Sequence, residues 1–227
     1  MVQDFFRTIK ECFGWVFTIL PIGFKMAFTL FGVAVFFFLL SLLFFEFLFI
    51  LLCKISLILG CFVMFFFRNP ERNTEFSENE ITAPGDGTIL SIKTEDDPNI
   101  VVIRIFLSIF NVHIQRAPIS GTITNIKYTK GTFLFANNPS ADKNERNLIC
   151  FENGDKVMAI EQITGAIAKR IECWVEKEQK VSIGERVGLI RFGSQVAVYL
   201  PKDKVQLAVK VGQKVQGGIS LIGFWSV

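Results

Sequence analysis

The stretch that decides the fold class is Leu189-Ile-Arg-Phe-Gly193-Ser194-Gln-Val-Ala-Val-Tyr-Leu-Pro201, where a Gly-Ser pair separates two apolar runs. Short apolar runs bounded by turn-forming residues are typical of buried β-strands. Glycine tolerates the positive φ angles of tight turns, so we expect Gly193 and Ser194 to join two strands. A hairpin turn is enough to explain the pattern, and the stretch alone therefore predicts sheet and no chemistry.

The same pattern continues through residues 68–227. Short β-rich runs alternate there with clusters of Gly, Pro, Asn and Asp, as in a domain built of antiparallel sheets. We predict strands at Gly87 to Ile92, Ile100 to Leu107, Gly121 to Tyr128, Lys156 to Ile163, Arg186 to Phe192, Gln195 to Leu200 and Val205 to Val211. Gln162 to Trp174 stays open between helix and strand, because its isoleucines keep helical spacing while its β-branched content favours a strand.

A weak internal repeat lies within this β region. Val181-Ser-Ile-Gly184-Glu-Arg-Val187 matches Val209-Lys-Val-Gly212-Gln-Lys-Val215, with glycine at the same step between two valines. The V-x-x-G-x-x-V unit resembles the turns of biotinyl and lipoyl carrier domains. Those carriers present a lysine beside a methionine for modification, and no Met-Lys pair follows the apolar N-terminal region. The repeat therefore predicts biotinyl- or lipoyl-like turns and does not favour a carrier function.

Two long apolar runs, Ala27 to Phe45 and Phe47 to Phe67, precede the β region, and Lys54 is the only charge inside them. Each run is long enough to cross ~30 Å of hydrocarbon as a helix. We predict that residues 1–67 form a helical membrane hairpin, with Glu46 and Lys54 at its far turn. Basic residues on both flanks would put both ends in the cytoplasm. A hairpin embedded in one leaflet is the alternative, whereas a cleaved signal peptide fits the pattern poorly.

The remaining composition narrows the class of function. The five cysteines fit a reducing compartment, because their number is odd and their spacing is not that of a disulfide framework. The chain has one histidine and no paired-cysteine motif, so we expect no metal site. The formal net charge of +3 is too small to indicate a nucleic-acid partner, and we expect none.

Two further segments contain polar residues that a sheet alone does not require. Ala83-Pro84-Gly85-Asp86-Gly87 is a tight turn entering a strand, in which aspartate is a common turn former. Phe110-Asn-Val-His113-Ile-Gln-Arg116-Ala-Pro118-Ile-Ser-Gly121 places the single histidine before a proline-containing turn. Taken one at a time, a turn aspartate and a lone histidine each have a plain structural explanation.

Together these segments resemble the phosphatidylserine decarboxylase family in its short bacterial form. The resemblance starts at Phe65-Phe-Phe-Arg-Asn-Pro-Glu-Arg72 and continues almost to the C-terminus. It rests on four motifs in the family's order and spacing: Phe-Phe-Arg-Asn-Pro-Glu-Arg, Pro-x-Asp-Gly, Asn-Val-His-x-x-Arg-x-Pro-x-x-Gly and Arg-Phe-Gly-Ser. Their combination is far more specific than any one of them.

The resemblance implies a role for each candidate site residue. The chain would cut itself between Gly193 and Ser194, and Ser194 would become a covalent pyruvoyl group. Asp86 and His113 would take a triad-like part in activating the serine, and His113 would also be the best candidate for a general acid. Arg116 stands where long-form members have a second histidine. Many members also have alanine in place of Gly85.

The implied activity is decarboxylation of phosphatidylserine to phosphatidylethanolamine and CO₂, through a Schiff base with the pyruvoyl group and without metal or pyridoxal phosphate. Residues 1–67 would be the membrane anchor and residues 68–227 the decarboxylase domain. The long and short chains made by self-cleavage would remain a non-covalent complex at the bacterial inner membrane, with the catalytic domain facing the cytoplasm. Two alternatives remain open from the sequence: a membrane-tethered adaptor without activity, and the same chemistry on another serine-headed lipid.

Overall fold

The computed structural model of the chain describes residues 21–44, 47–95, 97–134, 143–166, 170–191 and 193–226. The chain divides into two compact units, Met1–Glu71 and Arg72–Val227. Helices make up most of the described part of the first unit, and strands dominate the second.

Two apolar helices, α1 (Pro21–Phe44) and α2 (Phe47–Phe66), are long and apolar enough to cross a membrane. Most of their large apolar side chains are exposed; Leu43, for example, is 73% exposed. A helix in the core of a water-soluble domain would bury such residues, so this exposure suits an apolar solvent. The predicted helical segment is thereby confirmed for its described residues.

Details of the predicted hairpin differ from the structure. Lys54 lies within α2, so it does not mark the turn between the helices. The other predicted turn residue, Glu46, lies outside the described residues, and so do residues 1–20 of the predicted anchor. A single lysine in a long apolar run does not end a helix, because its flexible side chain can extend away from the helix axis.

The second unit is mostly antiparallel sheet, as predicted. Its strands are β1 (Glu80–Thr82), β2 (Gly87–Thr94), β3 (Ile100–Leu107), β4 (Ile114–Arg116), β5 (Gly121–Thr129), β6 (Arg146–Asn153), β7 (Lys156–Ile163), β8 (Ile171–Cys173), β9 (Lys180–Val181), β10 (Arg186–Ile190), β11 (Ser194–Pro201), β12 (Val205–Leu207), β13 (Lys214–Val215) and β14 (Leu221–Trp225).

These strands form one large sheet and two small ones. The large sheet has the order β13-β2-β3-β11-β7-β6-β5-β9, and the small sheets have the orders β1-β14-β12 and β4-β10-β8. Strand β11 lies at the centre of the large sheet, and nearly all of its side chains are buried. Val196, Val198 and Leu200 on one face of β11 join the main core, with Ile103, Ile105, Ile149, Phe151 and Ile160 of the neighbouring strands, and Ala197 on its other face packs with Val102 and Ile163.

The predicted strand bounds hold best where an apolar run is uninterrupted. Ile100 to Leu107 and Lys156 to Ile163 are confirmed at both ends. The predicted strand from Val205 to Val211 is wrong after Leu207, because the chain turns there towards Gly212. The open stretch Gln162 to Trp174 contains the end of β7 and all of β8, and its middle lies outside the described residues.

The two V-x-x-G-x-x-V units form equivalent turns. Gly184 and Gly212 have φ angles of 80° and 85°, which glycine adopts without the penalty that a side chain brings. In each turn the side-chain oxygen of the next residue accepts a hydrogen bond from a backbone N–H three residues earlier, Glu185 from Ser182 at 2.8 Å and Gln213 from Lys210 at 3.2 Å. One turn follows strand β9 and the other precedes strand β13, which are the two edge strands of the large sheet. The sequence repeat therefore corresponds to the same kind of turn at the two edges of this sheet.

Candidate active site

Ser194 is the first residue of the central strand β11. It pairs with Leu107 at the end of β3 and is fully buried. Its hydroxyl oxygen has no hydrogen-bond partner among the described residues. Leaving a buried hydroxyl unpaired costs about 1–3 kcal/mol, so native structures rarely do so without a reason. A hydroxyl without a competing bond is available as a nucleophile.

Gly193 precedes the serine in a left-handed backbone conformation, with φ at 61°. An added Cβ would meet no atom there, so the conformation and not crowding is what favours glycine. The backbone N–H of Gly193 donates a hydrogen bond to Nε2 of His113 at 3.2 Å. The structure therefore brings three of the predicted residues, Gly193, Ser194 and His113, to one place.

The hydrogen bonds of His113 define its tautomer. Its Nδ1 lies 3.0 Å from the backbone oxygen of Asn111, which can only accept. A neutral ring that accepts from Gly193 at Nε2 must therefore carry its proton on Nδ1. The lone pair of Nε2 thus accepts the N–H of Gly193, the residue that precedes Ser194. The ring is also 1% exposed, which shields it from competing water.

A short turn positions His113 between the end of β3 and the start of β4. Both the backbone N–H and the hydroxyl of Ser108 donate to Oδ1 of Asn111, at 2.9 and 2.8 Å. The N–H of Asn111 in turn donates to the backbone oxygen of Ser108 at 2.9 Å. The backbone oxygen of His113 accepts from the N–H of Ile190 at 3.3 Å, which ties it to β10.

Asp86 has a different set of partners from the one its predicted role suggests. Arg72 donates to both of its carboxylate oxygens, at 2.6 and 2.8 Å, and the N–H of Gly217 donates at 2.9 Å. In the described part of the chain Asp86 is not bonded to His113, whose Nδ1 is instead on Asn111. The paired, nearly buried ions hold the Asp86 turn in place. Gly85 in the same turn has room for the Cβ that many family members carry.

Arg116 lies beside this ion pair, at the end of β4. Its N–H donates to the backbone oxygen of Pro84, and its guanidinium donates to that of Gly184, both at 2.8 Å. Burial, with smaller contributions from the charges of Arg72 and Arg186, lowers the pKa of Arg116 to about 10. The group still remains protonated near neutral pH, so it does not replace the base that long-form members have at this position.

A chain of buried amides, which the sequence analysis missed, connects His113 to the large sheet. Nε2 of Gln115 donates to the backbone oxygen of His113 at 2.8 Å, and Nε2 of Gln162 donates to Oε1 of Gln115 at 2.8 Å. Nδ2 of Asn147 then donates to Oε1 of Gln162 at 2.9 Å. All three side chains are at most 2% exposed, and such satisfied networks rigidify their surroundings. The sequence did offer one indication of these residues, since each is an amide side chain within a strand that is otherwise rich in apolar residues.

The residue after Ser194 is anchored separately. Arg104 on β3 donates to Oε1 of Gln195 at 2.9 Å and forms a two-bond ion pair with Glu95, at 2.7 and 2.6 Å. The hydrogen bond from Arg104 is the main cause that lowers the pKa of Glu95. The peptide bond between Ser194 and Gln195 is therefore fixed by side-chain contacts as well as by strand pairing.

Comparisons with known proteins identify the family. The family model described as phosphatidylserine decarboxylase matches residues 59–223. Curated proteins named phosphatidylserine decarboxylase proenzyme are similar to the chain. The one from Syntrophus aciditrophicus is 43% identical over 71% of this chain and 79% of its own length. The one from Desulfotalea psychrophila is 40% identical over 76% of this chain and 84% of its own length. The one from Ehrlichia chaffeensis is 40% identical over 75% of this chain and 78% of its own length. The chain belongs to the phosphatidylserine decarboxylase family.

The tautomer and the amide chain can be tested together, because His113 is the only histidine. Nitrogen NMR of ¹⁵N-histidine-labelled protein should show Nδ1 protonated and Nε2 unprotonated when the ring is neutral. In Gln162→Leu, loss of the amide contacts should loosen the backbone at His113 and shift or broaden both nitrogen signals.

Thr82→Val is the matched control, since it removes another fully buried side-chain hydrogen bond, that to the backbone oxygen of Pro118. Both substitutions should lower the free energy of unfolding by about 1–3 kcal/mol. Only Gln162→Leu should change the imidazole signals. Unchanged signals in that variant would show that the amides serve stability alone.

Proposed function

We propose that the chain is a self-processing phosphatidylserine decarboxylase that converts phosphatidylserine to phosphatidylethanolamine and CO₂. The observation that carries the proposal is the buried hydroxyl of Ser194, which lacks a hydrogen-bond partner among the described residues and follows a left-handed Gly193. A structural serine at a strand end would normally satisfy its hydroxyl. Membership of the family supplies the substrate, and the site supplies a nucleophile and a base.

Maturation begins with attack of Ser194 Oγ on the carbonyl carbon of Gly193. The C–N bond breaks, an ester forms and the amino group of Ser194 is freed. Removal of the Cα proton of residue 194 then expels the Gly193 carboxylate and leaves dehydroalanine. Water replaces its nitrogen, which releases ammonia and leaves a pyruvoyl group at the start of the short chain. Each step needs close positioning of the reacting atoms, which the fixed Gly193-Ser194 junction favours.

His113 is the proposed base for the serine. Its Nε2 accepts from the N–H of Gly193 at 3.2 Å, one residue before Ser194, and would exchange that hydrogen bond for the proton of the serine hydroxyl when it acts as the base. Nδ1 keeps its proton and continues to donate to the backbone oxygen of Asn111, so the ring keeps its orientation after Nε2 gains a proton. Asp86 is proposed to act at longer range, by holding Arg72 and the turn at Gly217 beside the site.

The residues present fit a pyruvoyl group, because Ser194 is its source and its buried oxygen has no bond to lose on conversion. The group would react with the amine of the substrate and accept the electron pair released when CO₂ leaves. His113 would then give the proton on Nε2 to the substrate carbon. Gln195, held by Arg104, would keep the new chain start in register with β3. No bound metal or pyridoxal phosphate enters the proposal.

We assign the membrane anchor to residues 1–67 and the decarboxylase domain to residues 68–227, divided by cleavage after Gly193. The apolar helices α1 and α2 support attachment to a membrane. Basic residues on both flanks of the apolar region favour the cytoplasmic face of the bacterial inner membrane for the catalytic domain. The two products of cleavage are proposed to remain together as a non-covalent complex.

Replacing the serine tests this function directly. Ser194→Ala removes the nucleophile, so the protein should stay a single polypeptide on denaturing gels and form no phosphatidylethanolamine. Ser226→Ala is the matched control, because Ser226 is exposed and belongs to the same short chain. It should mature and turn over like the parent. A Ser194→Ala protein that still divides, or a parent that stays uncut while active, would refute the proposal.

The role of the histidine needs its own experiment. His113→Ala should slow turnover in the matured fraction by about 10²- to 10⁴-fold, the range expected for loss of a general acid or base. Cleavage should slow as well if the same nitrogen activates Ser194, and added imidazole should restore part of either rate. A His113→Ala protein that cuts itself at the parent's rate and decarboxylates within about threefold of the parent would make the histidine structural.

A further inference from the structure

The turn between β3 and His113 exposes two adjacent apolar side chains. Ile109 is 36% exposed and Phe110 is 65% exposed, whereas Val112 and His113, which follow after the half-buried Asn111, are buried. Exposing a phenylalanine this far to water gives up much of the about 1.5–3 kcal/mol that its burial would contribute. Single exposed apolar residues are common, but this pair lies at a special place in the fold.

Both ends of the turn belong to the candidate active site. Leu107, just before the turn, pairs with Ser194, and His113, just after it, accepts from Gly193. The hydrogen bonds between Ser108 and Asn111 close the turn, so its tip is held in a fixed position relative to the serine. The exposed pair therefore lies beside the reacting groups.

The turn also lacks charge. From Phe106 to Gln115 the sequence contains no Asp, Glu, Lys or Arg. Two other short connections of the same unit do carry charge at their tips, Asp155 between β6 and β7 and Lys202-Asp203-Lys204 between β11 and β12. An uncharged, apolar tip suits contact with hydrocarbon and the interfacial region of a bilayer, where charged side chains are costly.

We propose that Ile109 and Phe110 form a bilayer-contact tip that enters the membrane surface and brings the lipid head group to Ser194. This inference rests on the proposed function, because a diacyl substrate keeps its tails in the bilayer while its head group must reach a fully buried residue. The tip fixes the distance between the membrane surface and the site. It acts in addition to the helical anchor.

The test compares two substrates for the full-length enzyme reconstituted in phosphatidylcholine vesicles. One substrate is long-chain phosphatidylserine in the vesicles, and the other is water-soluble dihexanoyl phosphatidylserine. In Phe110→Ser the ratio of vesicle to soluble turnover should fall about tenfold, in keeping with the loss of one partly buried aromatic ring. Val211→Ser is the matched control, since Val211 is an apolar residue that is 59% exposed at another turn of the same unit. Its ratio should match the parent's.

A second measurement does not depend on activity. Phe110→Trp in vesicles with brominated acyl chains should show extra fluorescence quenching over the parent, whereas Val211→Trp should not. The proposal would be overturned if Phe110→Ser left the turnover ratio unchanged or lowered turnover equally on both substrates. It would also be overturned if the tryptophan of Phe110→Trp were not quenched, or if the loss of vesicle turnover followed a change in self-association of the protein. If the parent decarboxylates neither substrate, the proposed function fails, while quenching still decides the membrane contact.

Discussion

The pairing of β11 with β3 on one side and β7 on the other is the constraint on which the rest of the structure depends. It fixes Ser194 as the first residue of a central strand. The backbone changes direction just before this strand, at Gly193, which adopts the left-handed conformation that the turn requires. Cleavage at this junction would also leave the short chain locked in place. Beyond β11, the short chain adds β13 to the large sheet and β12 and β14 to a small one. Its buried Val196, Val198, Leu200 and Ile222 would each contribute about 1.5–3 kcal/mol to holding the two chains together.

Around that junction the polar groups divide into two sets. One set, formed by Asn111, His113 and Gly193, holds the imidazole against the backbone N–H of Gly193, the residue that precedes Ser194. The other set, centred on the ion pair of Arg72 and Asp86, fixes the turn at Asp86 and Gly217. A backbone oxygen thus occupies the orienting position that a carboxylate takes in a serine triad. The charge of Asp86 is neutralised by Arg72. The ion pair therefore stabilises the fold around the site, whereas the proposed proton transfers depend on His113.

The sequence predicts the parts of the molecule that depend on local pattern. Apolar runs indicate α1, α2 and the central strands, and the glycines at 184 and 212 indicate their turns because only the backbone conformation is at issue. Strand β6 was missed, since its apolar run is only four residues long between polar ends, and Asn147 is buried on the same face as Ile149 and Phe151. Short strands such as β4 were missed because their pairing comes from distant residues.

The candidate site was predictable only as a set of residues. The motifs named Ser194, His113 and Asp86, but the sequence does not indicate that His113 contacts Gly193 while Asp86 pairs with Arg72. Those partners are separated by many residues and are chosen by tertiary packing. The most direct test of the account is the intact mass of the short chain after treatment with a ketone-specific hydroxylamine reagent. A chain that starts at residue 194, lacks an amino group and gains one equivalent of the reagent is the predicted result. An unreactive chain with a free serine amine at its start, or a single uncut polypeptide in active enzyme, would contradict the account.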